Sequence, residues 1–177
     1  ATGTGDIAFG FLKKYHCSIV GLDIAKNMID IAKKKAKKYH GNINFIEGDA
    51  EEIQFEDASF DALTISFGFR NLASYDVALS EFYRVLKDDS KIAILEFSKP
   101  KSRWFAPIFR FYFNRVIPII GSLLSRKDAY MYLPESVDHF LTRKDVSAKL
   151  KQAGFKNVVY IDYTFGVATL YIGEKNE

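Results

Sequence analysis

Ala1-Thr2-Gly3-Thr4-Gly5-Asp6, a helical stretch, and then Ser18-Ile19-Val20-Gly21-Leu22-Asp23 open the sequence, and their order decides the fold. Gly3 and Gly5 with Thr4 between them form a turn that lets backbone approach a ligand closely, and a helix starting near Asp6 offers unpaired amides to an anionic group. Asp23 ends a short β-rich run about 20 residues beyond the glycines, where a carboxylate can accept hydrogen bonds from both ribose hydroxyls of an adenosine-containing ligand. Its other reading is as the N-cap of the next helix. With Ala8 in the third place, the turn also satisfies the relaxed dinucleotide fingerprint, so a nicotinamide-dependent oxidoreductase stays open, although nothing supplies a hydride-transfer acid. Such a turn ordinarily follows a strand. We therefore expect a first strand to belong to the domain upstream of Ala1.

Working outward, Ala8, Phe11, Leu12 and Tyr15 recur at helical spacing and lead into a buried strand over 18–23. Ile24, Met28, Ile31, Ala32 and Ala36 mark one face of a second helix, closed by Gly41 as its C-terminal cap. A strand over 42–46 follows, then a buried strand over 60–65, a helix with Ala78, Phe82, Val85 and Leu86 inward, and a strand over 91–97. Thr142-Arg143-Lys144-Asp145 reads as a capping box opening a helix that Gly154 ends. Strands over 157–163 and 167–172 are joined by Thr164-Phe165-Gly166, too short for a parallel crossover, so they form an antiparallel hairpin. The expected fold is α/β: a mostly parallel, doubly wound sheet finished by an antiparallel hairpin, in one domain over 1–177 with an aromatic-rich insertion at about 99–134.

At 177 residues, 48% hydrophobic and 27% charged, the chain has the apolar content for a packed core and is not a disordered tail. The single Cys17, read as a small buried residue, excludes a disulfide framework. His16, His40 and His139 are scattered, so no metal site is expected. A net charge of +3 is too mild to announce a nucleic-acid partner. The most apolar stretch, over 104–124, is broken by Pro107, Arg110, Asn114, Arg115 and Pro118 and does not read as a spanning helix. We expect a cytoplasmic protein whose contact with the inner face of a membrane is peripheral. Lys33, Lys34, Lys35, Lys37 and Lys38 read first as the wet face of an amphipathic helix and second as a headgroup-binding surface.

Glu47-Gly48-Asp49-Ala50 follows the third strand position and places a second carboxylate where it could accept the exocyclic amine of adenine, with the Ala50 backbone against the ring. Alone, Gly-Asp is ordinary turn chemistry. Spaced as it is from the glycine turn and Asp23, it is not part of the nicotinamide pattern. Together with Ser59-Phe60-Asp61, Ile65-Ser66-Phe67-Gly68-Phe69-Arg70-Asn71, Leu95-Glu96-Phe97-Ser98-Lys99-Pro100, Tyr130-Met131-Tyr132-Leu133-Pro134-Glu135-Ser136-Val137 and Ala153-Gly154-Phe155, these runs resemble the ubiquinone/menaquinone biosynthesis C-methyltransferases over nearly the whole chain.

The resemblance implies a Rossmann-like class I methyltransferase that uses S-adenosyl-L-methionine. It implies cofactor contacts at Gly3, Thr4, Gly5, Asp23, Asp49, Ala50 and Ser66. Arg70 and Asn71 would be catalytic, and Phe69, Tyr130 and Tyr132 would meet the substrate. That substrate would be a lipophilic prenylated quinol of the demethylmenaquinol or 2-polyprenyl-6-methoxy-benzoquinol type, and the family also carries helices and a first strand upstream of the position of Ala1. A homodimer, a place in a biosynthetic complex, and a non-catalytic subunit of such a complex stay open. Arginine stays protonated, so Arg70 is expected to lower the phenol's pKa and hold the phenolate rather than act as a base. Pairing with Glu96 as an ordinary structural partner is the competing role. A nucleic-acid methyltransferase is disfavoured, because Ser66-Phe67-Gly68 stands where those enzymes carry an Asn/Asp-Pro-Pro-aromatic sequence that stacks a flipped base. The segment with Trp104, Phe105, Phe109, Phe111, Tyr112 and Phe113 reads either as core or as a channel for a prenyl tail.

Overall fold

The computed structural model describes residues 1–100, 107, 136–137 and 139–176. Its elements run α1 (Asp6–Lys14), β1 (Ile19–Asp23), α2 (Lys26–Ala36), β2 (Ile43–Glu47), β3 (Phe60–Ser66), a 3-10 turn (Phe69–Asn71), α3 (Tyr75–Val85), β4 (Leu86–Phe97), α4 (Arg143–Gln152), β5 (Lys156–Tyr163) and β6 (Ala168–Lys175). Strands β1 and β2 pair in parallel, with Asp23 opposite Glu47. A second sheet has the order β3-β4-β6-β5. Its β3–β4 pair is parallel, and β6 runs antiparallel to both β4 and β5, so β3, β4 and β5 share one direction. The alternation of strand and helix and the closing hairpin are as read from the sequence. The single sheet expected there is instead two sheets among the described residues. Ala1 and Thr2 lie between them: both nitrogens donate to Leu22 O, at 2.8 and 2.9 Å, and a Cβ placed on Gly68 would meet the Ala1 Cβ.

Local sequence explains the element ends. Ser74 caps α3 by accepting from Val77 N. At α4, Thr142 Oγ1 accepts from Asp145 N while Asp145 Oδ2 accepts from Thr142 N, the reciprocal box expected from the sequence. Gly154, at φ 106°, follows that helix in a conformation that L side chains rarely adopt.

Two cores hold the sheets. One gathers Ile92 and Ile94 of β4 with Ala78, Leu79 and Phe82 of α3, Val146 and Leu150 of α4, Phe155 and Tyr171. The other packs Phe9, Ile29 and Ala32 on Phe45. Fully burying side chains of this size contributes about 1.5–3 kcal/mol each, which is why the interior strand β4 alternates buried and open positions so regularly.

Several facing assignments are corrected. On α1 the inward ring is Phe9, stacked on Tyr39 at 4.3 Å and edge-on to Phe45, whereas Phe11 and Tyr15 are exposed. On α2 the buried pair is Ile29 and Ala32; Ile24 precedes the helix and, like Ile31, is exposed. Gly41 is not that helix's cap: the helix closes at Lys37, and Gly41, at φ 148°, makes the turn into β2 beside Leu12. Leu86 is buried but opens β4 rather than ending α3. Strands β1 and β3 were expected to be buried throughout, yet Val20, Ala62 and Thr64 are exposed, because each strand has one paired neighbour. Cys17 is exposed, its thiol 3.8 Å from Tyr15 O, since it sits in the turn between α1 and β1 rather than on either inward face. No described helix is long and apolar enough to cross a membrane. Tyr130, Tyr132 and nearly all of the 99–134 insertion lie outside the described residues.

Candidate active site

In a parallel sheet the loops leaving the carboxyl ends of the strands share one edge, and ligands bind in the crevice beside it. Here β1 ends at Asp23, β2 leads into Gly48-Asp49-Ala50, β3 leads into Ser66–Asn71, and β4 ends at Phe97. Gly48 N donates to Asp23 O at 3.1 Å, which ties the end of β1 to the loop that carries Asp49. Ala1 N and Thr2 N donate to Leu22 O beside Asp23, and a Cβ placed on Gly68 would meet the Ala1 Cβ, which brings the loop after β3 to the same strand end.

Asp23 is 9% exposed and organises the glycine turn. Its Oδ2 accepts from Gly3 N at 2.7 Å and its Oδ1 from Ala25 N at 2.9 Å. The capping role considered for Asp23 is thus half right: it steadies the entry to α2, whose N-cap is Ala25. Each carboxylate oxygen has a second lone pair, so the group can still accept a vicinal diol. Gly3, at φ 56°, has nothing within 4 Å of where a Cβ would stand, which leaves open space against its backbone. Gly5, at φ 82°, is the opposite case: a Cβ there would lie 2.6 Å from the Phe45 ring. The donor set and the open face of Gly3 fit an adenosine cofactor.

Thr4 is engaged elsewhere. Its hydroxyl donates to Asp6 Oδ2 and accepts from Lys35 Nζ, which also bonds Asp6 Oδ1 at 2.9 Å. Lys35 thus clamps the turn to α2, while Lys33, Lys34, Lys37 and Lys38 are exposed. Asp49 is exposed and accepts from Glu51 N, the turn chemistry weighed for it, with Ala50 buried beside it. Ser66 ends β3, half-buried, opposite Leu95.

Arg70 and Glu96 form a buried pair, their side chains 7% and 0% exposed. Glu96 Oε1 accepts from Arg70 Nη1 at 2.7 Å and from Phe97 N, and Oε2 accepts from Arg70 N. Burial raises the Glu96 pKa, with Arg70 and the two amides pulling against it. Arg70 Nη1 also donates to Phe67 O and Nε to Ser136 Oγ; Nη2 takes part in none of these bonds. Glu96 lies opposite Thr169, and Thr169 opposite Asp162. There Ser98 Oγ donates to Thr169 Oγ1, Thr169 Oγ1 donates to Asp162 Oδ1, and Arg143 Nε meets that same oxygen at 2.6 Å. A polar row thus crosses the sheet beneath the arginine loop.

Asn71 is exposed beside Arg70. Phe69 corrects an expectation: it is 0% exposed, stacked on Tyr75 at 5.1 Å and edge-on to Phe140, so it packs the core rather than meeting substrate. The sequence reading did not single out Phe67 and Phe97, whose rings meet at 4.6 Å, though both lie in its motif runs. It also did not find Arg143 with Asp162, 19 residues apart and joined only by topology. Among the described residues no group of three His, Cys, Asp or Glu could hold a metal.

Comparison with known proteins shows the family. The model of the ubiE/COQ5 methyltransferase family matches residues 1–175. A ubiquinone/menaquinone biosynthesis C-methyltransferase from Geotalea daltonii is 43% identical over 99% of this chain and 76% of its own length. A demethylmenaquinone methyltransferase from Thermus thermophilus is 43% identical over 99% of this chain and 80% of its own length. Among solved structures, a SAM-dependent methyltransferase from Aquifex aeolicus superposes with a TM-score of 0.69 at 18% identity, covering 97% of this chain and 77% of that one. The nicotinamide reading of the glycine turn is set aside: the chain belongs to the ubiE/COQ5 methyltransferase family.

Proposed function

We propose that this protein transfers a methyl group from S-adenosyl-L-methionine to a ring carbon of a prenylated quinol in the biosynthesis of menaquinone or ubiquinone. What supports the reading is the hydrogen bond that ties the Gly48-Asp49 loop to Asp23, with the loop of Arg70 reaching Ala1 beside that strand end through Gly68. Relatives at 43% identity, a ubiquinone/menaquinone biosynthesis C-methyltransferase and a demethylmenaquinone methyltransferase, support the substrate class.

The cofactor, when bound, supplies an electrophilic methyl group on a sulfonium. Asp23 would take its ribose hydroxyls on the lone pairs that Gly3 and Ala25 leave, and Asp49 with Ala50 would meet the adenine. Ser66 and the open backbone of Gly3 complete that half of the site. A ring carbon becomes nucleophilic as the neighbouring phenol gives up its proton to water, and the oxygen is reprotonated when that carbon, once methylated, sheds its own proton. A fixed guanidinium favours that by holding the phenolate oxygen. Arg70 is the residue for it, with the Nη2 edge directed to the oxygen while Nη1 and Nε hold the side chain still. Asn71, exposed next to it, would orient the ring, and Tyr130 and Tyr132 are proposed to close over it. A site closed to water would favour the chemistry that the cofactor supplies. We place the protein in the cytoplasm, with the exposed lysines of α2 able to approach anionic lipid where the substrate resides.

The test is incubation of the protein with methyl-labelled cofactor and a prenylated demethylquinol of either ring type, with NMR of the product. A labelled methyl on ring carbon is the expected result. Label on oxygen, or no transfer while the cofactor binds, would refute the reading; the second result would leave an assembly subunit.

A further inference from the structure

Phe67 has a backbone conformation that is unusual for a large side chain. It lies at φ 57°, in the left-handed region that large L side chains enter only at a cost, although Gly68 next to it could adopt that region freely. The backbone is held from both sides: Phe67 N donates to Leu95 O at 2.8 Å, and Phe67 O accepts from Arg70 Nη1 at 2.6 Å. The strain does not serve core burial, because Phe67 remains 38% exposed. It sets the phenyl against Phe97, with centroids 4.6 Å apart, while the guanidinium carbon of Arg70 lies 5.4 Å from the centre of the same Phe97 ring. Strained residues of this kind gather where a ligand is held.

We infer that Phe67, backed by Phe97, is the platform on which the substrate's aromatic ring lies, with Arg70 at its edge to take the ring oxygen. This deepens the proposed function and rests on it. A flat, electron-rich ring offset over a phenyl face is a favourable aromatic pair. The platform recognises the ring and not the tail, so its removal affects tail-less and prenylated quinols alike. It also fixes the plane of the ring relative to Arg70, which makes Phe67 a specificity-determining contact.

The experiment compares Phe67→Gly and Phe67→Tyr with the parent, using a tail-less naphthoquinol and its prenylated counterpart. Glycine relieves the backbone strain and removes the ring; tyrosine keeps the ring. In Phe67→Gly the KM for both quinols is expected to rise about tenfold, with cofactor affinity within about twofold of the parent. Phe67→Tyr is expected to return KM to near the parent value. An unchanged KM in the glycine variant, an effect confined to the prenylated substrate, or a matching loss of cofactor binding would each overturn the platform. If the parent methylates neither quinol, the methyltransferase reading fails instead. Calorimetric titration of the tail-less quinone into parent and Phe67→Gly then decides the platform, equal affinities or no binding to either overturning it and weaker binding to the glycine variant supporting it.

Discussion

Replacing Glu96 with glutamine changes one oxygen to an amide nitrogen inside the buried ion pair with Arg70. Glu96 accepts three hydrogen bonds, from Arg70 Nη1, Phe97 N and Arg70 N. A glutamine can keep its oxygen toward the first two, but its NH2 group then faces Arg70 N, donor against donor. Leaving a buried amide unpaired costs about 1–2 kcal/mol. Removing the negative charge beside a guanidinium whose side chain is 7% exposed adds a comparable amount, so the expected loss is about 2–4 kcal/mol. That is a large part of the stability of a domain of this size, about 5–15 kcal/mol. The assay is urea unfolding of Glu96→Gln, Arg70→Met and the double variant. The double variant should be more stable than the sum of the singles by about 2 kcal/mol, since neither partner is then left charged and alone. A Glu96→Gln loss below about 0.5 kcal/mol, or strict additivity, would refute the pair as the support of the arginine loop.

The other predictions concern the cofactor half of the site and the loop beneath it. Asp23→Ala should remove measurable calorimetric binding of S-adenosyl-L-methionine, because the carboxylate orders the Gly3 turn and is proposed to take the ribose. Gly5→Ala should cost about 2–4 kcal/mol in unfolding experiments, from left-handed strain plus a clash with Phe45. Gly3→Ala, with open space around it, should cost only about 1 kcal/mol yet weaken cofactor affinity at least about tenfold. Glu81 accepts from Ile53 N and from Arg84, and the Arg84 guanidinium, first among the causes, holds its carboxyl below the ordinary 4.5. A depressed native pKa stabilises above the unfolded value, and that contribution disappears as pH falls through the native one. Unfolding midpoints should therefore drop below pH 4.5 less steeply in Glu81→Gln than in the parent.

Most of the fold was legible because it depends on local signals. The α4 capping box, Gly154 and the three-residue link Thr164-Phe165-Gly166 each state an element boundary within a few residues, and each is found where it was read. The facing of α1 was not legible. Phe9 and Phe11 are both aromatic, and only Tyr39 and Phe45, supplied by later elements, decide which turns inward. The same limit applied at the site. Asp23 and Asp49 were visible from spacing, since strand ends align in a parallel sheet. That Thr4 is bound to Lys35, and that Phe69 is buried while Phe67 is exposed, depends on the path of a loop with one left-handed residue. The polar row through Thr169 and Asp162 arises only when the antiparallel hairpin returns beside β4.

In the proposed function the acids bind the cofactor and the arginine drives turnover, and one variant separates the two roles. Arg70→Lys keeps a positive charge opposite Glu96 but loses the planar fork that would hold a phenolate. Measured on a single preparation, its cofactor dissociation constant should stay within about twofold of the parent while kcat for ring methylation falls at least about 100-fold. A kcat within about threefold of the parent would contradict the assignment.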